Sequence, residues 1–102
     1  MQLTPKEIER VLIFSAAELA RRRLHDGVAL SHPEAVALAS DEVLERARRG
    51  ATFEEAQAAA HGLFERTQLL PGVPELLEDP LQVEAIFDDG TRLIPLERLV
   101  RS

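Results

Sequence analysis

The sequence predicts an α+β fold, in which a helical body of about three main helices is followed by a C-terminal β-hairpin. Three stretches, TPKE, SHPE and TFEE, place a capping Ser or Thr three residues before a Glu, which is typical of a helix start. Near the C-terminus, Asp89-Gly90 separates two apolar runs, which favours a hairpin. A chain of 102 residues is expected to form a single domain over residues 1–102.

The first helix is predicted over about Pro5 to His25. Thr4 is the expected N-cap, Glu7 completes the capping box, and Gly27 suits a left-handed position at the helix end. The large apolar residues of this helix cover more than one narrow stripe: Ile8, Val11, Leu12, Phe14 and Leu19. Three helices in a monomer can hardly bury so wide a surface, so the sequence favours contacts with other chains.

The second helix is predicted over about Pro33 to Arg49, behind Ser31 and Glu34 and before Gly50. Its apolar face at helical spacing consists of Val36, Ala39, Val43, Leu44 and Ala47.

The third helix is predicted over about Phe53 to Arg66, behind Thr52 and Glu55. It is expected to bury Phe53, Ala56, Ala60, Leu63 and Phe64. The proline-rich segment TQLLPGVPELLEDP then excludes a long helix and predicts turns, with one short helical turn at Pro74 to Leu77.

The hairpin is predicted with Asp89-Gly90 as a two-residue type I′ loop, which sets Ile86 directly opposite Leu93. Alternation assigns the inner face to Val83, Ala85, Phe87, Ile94 and Leu96. Ile86 and Leu93 lie on the outer face, where a monomer would leave them exposed. The free strand edges could also accept a strand from a partner.

Composition excludes several classes of function. The net charge of -6 and the absence of Trp and Tyr oppose binding to a nucleic acid. The chain has no Cys, hence no disulfide, thiolate ligand or cysteine nucleophile. A run of about 18 apolar residues is absent and the N-terminus is capped and acidic, so we expect a cytoplasmic protein without a membrane span or secretory signal.

The search for chemistry predicts no catalytic, cofactor-binding or metal-binding residue. The histidines His25, His32 and His61 share no helical spacing, and the pair of His61 and Glu65 offers only two potential ligands. The serines have no His and acid at a recognisable spacing, and neither a G-x-S-x-G motif nor a phosphate-binding glycine loop is present. The isolated chain is therefore predicted to be inactive.

Five segments in order resemble the urease gamma subunit. They are LTPKE at 3–7, HPEAVAL at 32–38, GVPE at 72–75 and QVEAIFDDGTRL at 82–93, with LIF in the first helix. The chain departs from the family pattern at His32, where an aromatic residue is usual, at Asp88, where Pro is usual, and in its C-terminal tail. The similarity nevertheless extends along nearly the whole sequence.

The resemblance implies a structural subunit of a nickel urease, a hydrolase of urea metabolism that converts urea to ammonia and carbamate. It also implies that nickel and the catalytic residues belong to the partner alpha subunit. The implied partners are urease alpha and beta subunits and copies of the chain itself around a threefold axis, as in a trimer. The alternative is a free-standing or paralogous helical interaction module that self-associates through its C-terminal hairpin.

Overall fold

A computed structural model describes residues 2–102. In chain order the elements are α1 (Pro5–His25), α2 (His32–Arg48), α3 (Phe53–Ala58), a 3₁₀ turn (Arg66–Gln68), α4 (Val73–Leu76), β1 (Leu81–Phe87) and β2 (Gly90–Leu96). β1 and β2 form a two-stranded antiparallel sheet. The predicted α+β class, with a helical body and a C-terminal hairpin, is confirmed.

The three predicted caps begin the three longest helices. At the start of α1, the Thr4 hydroxyl accepts the Glu7 N–H at 3.2 Å, and the Glu7 carboxylate accepts the Thr4 N–H at 2.9 Å. Both bonds are repeated by Ser31 with Glu34 and by Thr52 with Glu55. The backbone N–H of each cap is the main cause that lowers the pKa of its glutamate.

The capping glutamates predict a loss of stability in acid. Since folding lowers the pKa of Glu7, Glu34 and Glu55 below 4.5, their contribution is complete at pH values above 4.5. The contribution is lost as the pH falls through the lowered values. Urea titrations at several pH values between about 7 and about 3 should show that the free energy of unfolding declines toward the acid end. The triple variant Glu7→Gln, Glu34→Gln and Glu55→Gln should have a flatter pH profile; an unchanged profile would contradict the assignment.

α1 has the predicted bounds, and α2 begins and ends one residue before the predicted ones. The prediction for α3 is wrong, because the helix ends at Ala58 and does not reach Arg66. Gly62 has a φ of +64°, and the N–H groups of Gly62 and Phe64 donate to the carbonyls of Arg98 and Leu99 at 2.6 and 2.9 Å. The C-terminal tail thus pairs with the segment that would otherwise continue the helix.

The hairpin register differs from the prediction by two residues. Phe87 pairs with Gly90, so the loop consists of Asp88 and Asp89, and Ile86 lies opposite Thr91 and not opposite Leu93. A type I′ loop needs positive φ at both loop residues. Here neither loop residue has a positive φ, and the positive value of +122° falls on Gly90, the first residue of β2. A shift of two residues keeps each side chain on its predicted face, because the side chains of a strand alternate with period two.

The core lies around α2, which packs against α1 on one side and against β1 and α3 on the other. The largest fully buried side chains are Phe64, Leu30, Ile94 and Val43, and most of the remaining core residues are Ala or Leu. Of the residues predicted to be buried in α3 and after it, Ala56, Ala60 and Phe64 are fully buried. On the hairpin, Ala85, Ile94 and Leu96 are buried on the predicted inner face.

Candidate interaction surface

The outward side of α1 carries a row of large apolar residues. Ile8, Val11, Leu12, Phe14 and Leu19, which we call the α1 apolar face, are all between 45% and 64% exposed. Ile8, Val11 and Leu12 are neighbours at helical spacing on one side of the helix, Leu19 lies on the same side two turns further on, and Phe14 lies beside Val11. Exposed apolar patches of this kind are typical of interaction sites.

The inward side of α1 is small by comparison. Ala17 and Ala20 are the only buried residues of this helix, Leu24 is partly buried against the core, and Ile13 on the same side is also partly buried. α1 therefore directs five large apolar side chains away from the body and mainly alanines toward α2. Alanines allow the two helix backbones to approach closely but remove little apolar area from water.

A polar cluster completes the contact between α1 and α2. Asp41 of α2 is 4% exposed and lies between Arg10 and Arg21 of α1. Arg21 Nη2 donates to Asp41 Oδ2 at 2.6 Å, and Arg10 Nη1 lies 2.8 Å from Asp41 Oδ1 as an ion pair without hydrogen-bond geometry. We call these three residues the Asp41 clamp.

Two further carboxylates of α2 surround the clamp. Glu45 contacts Arg10 at 3.3 Å, and Glu42 contacts Arg21 at 3.1 Å. Burial opposes the charge of Arg21, but its hydrogen bonds to Asp41, Glu18 and Glu42 outweigh this effect and raise the arginine pKa. Arg21 is therefore charged at all ordinary pH values.

The hairpin carries a second exposed apolar area. Ile86 and Leu93 are 73% and 56% exposed on its outer face, as predicted, although their partners across the ladder are Thr91 and Glu84. The first turn of α1 reaches the same face, since Lys6 Nζ lies 2.9 Å from the carboxylate of Glu84. The start of α1 thus lies near the hairpin outer face.

Residues that could perform chemistry do not converge. His25 ends α1, His32 is the first residue of α2, and His61 lies exposed in the turn after α3. In the part of the chain that the structure describes, no three His, Asp or Glu side chains are grouped so that they could hold a metal ion. These residues do not fit a nickel centre. A hollow of about 510 Å³ beside the C-terminal tail contains no histidine among its lining residues.

Within the described part of the chain, the serines do not form a catalytic arrangement with the histidines. Ser31 caps α2, Ser15 is exposed on α1, and Ser40 is buried next to Asp41 on the packed side of α2.

Between residues 2 and 102, none of the helices combines the length and hydropathy that a membrane crossing requires.

The sequence reasoning missed the Asp41 clamp. Its signal was present, because Arg10 and Arg21 are eleven residues apart and so share one side of α1, the side that also carries Ala17. Asp41 likewise interrupts the apolar face of α2 between Leu38 and Val43. Charged residues of opposite sign on two facing inner surfaces indicate a buried ion pair.

Comparisons with known proteins agree with this arrangement. The family model described as "Urease, gamma subunit" matches residues 1–100. Over 102 residues the chain is 51% identical to a protein named "Urease subunit gamma" from Natronomonas pharaonis, and the match covers all of this chain and 93% of that protein. The chain is thus similar to such subunits over its full length.

Proposed function

Because the chain belongs to the urease gamma-subunit family, we propose that its exposed apolar surfaces are covered by other chains of that enzyme. It is a structural subunit of urease, a hydrolase of urea metabolism. The observation that supports the proposal best is the α1 apolar face, since five large side chains stand in water on the longest helix. A free-standing interaction module is not favoured, because the family match spans residues 1–100.

The size of the chain is compatible with such a role. A stable interface buries on the order of 800 Å² on each partner, and the accessible surface of this chain is 6821 Å². One interface therefore needs roughly an eighth of the surface, which the α1 apolar face and its surroundings can supply. The hairpin outer face is available to a second neighbour or extends the first interface past Lys6.

A division of labour between this chain and its partners is part of the proposal. We propose that nickel and the catalytic residues are held by the partner alpha subunit, and that the isolated chain does not hydrolyse urea. Support comes from the scattered histidines and from the absence, within residues 2–102, of a group able to hold a metal ion. We further propose that the chain acts as one domain in the cytoplasm, with alpha and beta subunits and with copies of itself around a threefold axis.

Co-expression tests this proposal. A tagged form of the chain, produced together with the large and beta urease chains and nickel, should retain both chains through purification and yield an active complex. Omission of the chain should abolish or strongly reduce the assembly and its urea hydrolysis, and the purified chain alone should release no ammonia from urea. Release of ammonia by the chain alone would contradict the proposed division of labour, and failure to retain the large chain would contradict the assembly role.

A further inference from the structure

The two halves of α1 are attached to the body in different ways. The buried residues Ala17 and Ala20 and the partly buried Leu24 all lie in the C-terminal half of the helix. In the N-terminal half, residues 5–16, no side chain is fully buried, and Ile13 is the one apolar side chain that is partly buried. This half is also the part of α1 that carries most of the α1 apolar face.

Ion pairs hold the N-terminal half in place. Arg10 lies 2.8 Å from the Asp41 carboxylate and 3.3 Å from that of Glu45, and Lys6 lies 2.9 Å from that of Glu84. The Lys6 side chain is 80% exposed and that of Arg10 is 32% exposed, so water and salt ions reach both cations. The pairs of Lys6 with Glu84 and of Arg10 with Glu45 are exposed enough to contribute little to stability and to weaken as the ionic strength rises. Asp41 is buried, so its pair with Arg10 is screened less, but this pair lacks hydrogen-bond geometry.

We propose that residues 5–16 form a docking arm, which opens independently of the rest of the isolated chain and which a partner locks in place. Detachment of the arm breaks ion pairs and exposes the partly buried Ile13, but it moves none of the buried side chains of α1. A detached helical segment of about 12 residues is too short to remain helical alone in water, so its amide hydrogen bonds open with it. The isolated chain thus has a local opening that needs less free energy than global unfolding.

The Asp41 clamp determines how firmly the arm is held. Arg21 lies in the second half of α1 and keeps its contacts with Glu18 and Glu42 when Asp41 loses its charge. Arg10 depends on Asp41 more strongly, because its remaining partner, Glu45, is shared with Arg49. Neutralisation of Asp41 therefore releases the first half of the helix preferentially.

Amide hydrogen exchange of the full-length isolated chain tests the arm. Amides of residues 9–16, which have helical hydrogen bonds, should exchange at least about tenfold faster than those of residues 38–47 in α2. An increase in NaCl from about 50 mM to about 500 mM should accelerate exchange in residues 9–16 and leave α2 unchanged. Equal rates in both segments, or a salt response shared by both, would overturn the proposal.

Two variants assign the effect to the clamp. Asp41→Asn keeps the shape of the side chain and should accelerate exchange in residues 9–16 by a further tenfold or so, with little change in the hairpin. Glu78→Gln, an exposed acid after α4, removes the same charge elsewhere and should change neither segment. Unfolding of the whole Asp41→Asn chain, seen as fast exchange in α2 and the hairpin, would count against a local arm.

The locking step rests on the proposed function and is tested separately. Addition of the purified large and beta urease chains should slow exchange in residues 9–16 more than in any other helix. If the isolated chain shows the arm but the urease chains do not bind, the proposed function fails and the arm stands. If they bind and residues 9–16 remain as fast as before, the arm is not the segment that the partner covers, and the locking step is wrong.

Discussion

Replacement of Ile8 and Leu12 by Lys is expected to weaken association with the other urease chains by at least about 100-fold while the chain still folds. Both side chains lie on the α1 apolar face and are 46% and 64% exposed, so neither contributes to the core. The loss of a central apolar contact costs about 2 kcal/mol or more at an interface, and a buried Lys without a partner adds to that cost. Two such changes exceed the 2.8 kcal/mol or so that corresponds to a 100-fold change.

The fold of this variant should be unaffected, because Lys is a good helix former and the two positions face water in the isolated chain. Circular dichroism and thermal unfolding check the fold, and co-purification with tagged large urease chain checks the association. The matched control adds the same two charges at exposed positions outside α1, Ala58→Lys with Thr67→Lys. If the control loses association equally, the effect is one of net charge and not of the α1 apolar face.

The direction in which α1 faces explains why a short chain carries so long a helix. Within its own body α1 needs few apolar residues, since Ala17 and Ala20 supply the buried contact and the Asp41 clamp supplies the polar one. The larger apolar side chains are then free to face outward. A helix used in this way contributes more to assembly than to the core of its own chain, which suits a structural subunit.

Local signals in the sequence predicted much of this fold. The caps at Thr4, Ser31 and Thr52 depend on residues three positions apart, so they could be read directly, and each one begins a helix. Exposure of the α1 apolar face could also be predicted, because the apolar residues exceed what three helices can bury. The face assignment of the hairpin was correct because it depends only on alternation.

Features that depend on distant parts of the chain were not predicted. α3 ends early because Gly62 and Phe64 pair with Arg98 and Leu99, and nothing in the helical pattern of residues 53–66 reports that contact. The hairpin register depends on whether the residue with positive φ lies inside the two-residue loop or directly after it. The Asp-Gly sequence is compatible with both positions, so it did not determine the register. The Asp41 clamp requires knowledge of which side of α1 faces α2.

Replacement of Phe64 by Ala should destabilise the isolated chain by about 3–5 kcal/mol, the usual cost of removing a buried aromatic ring. Phe64 is fully buried in the core and is the largest of the fully buried side chains. Its backbone also fixes the tail, because the Phe64 N–H donates to the Leu99 carbonyl and the Phe64 carbonyl accepts the Arg101 N–H at 2.8 Å. A domain of this size commonly has about 5–15 kcal/mol of stability, so the loss is a large part of the total.

The matched control is the same change on the α1 apolar face, Phe14→Ala, where the ring is 50% exposed. Thermal unfolding should show a decrease in Tm of about 12 °C or more for Phe64→Ala. For Phe14→Ala the free energy of unfolding should change by no more than about 0.5 kcal/mol.

Association with the large urease chain should respond in the opposite order: Phe14→Ala should weaken it although the chain is fully folded. Phe64→Ala, measured at a temperature where the chain is still folded, should bind nearly as the wild type does, because its ring lies away from the surface. Similar losses of Tm in the two variants would mean that Phe14 belongs to the core of the chain, and the α1 apolar face would then have to be assigned without it.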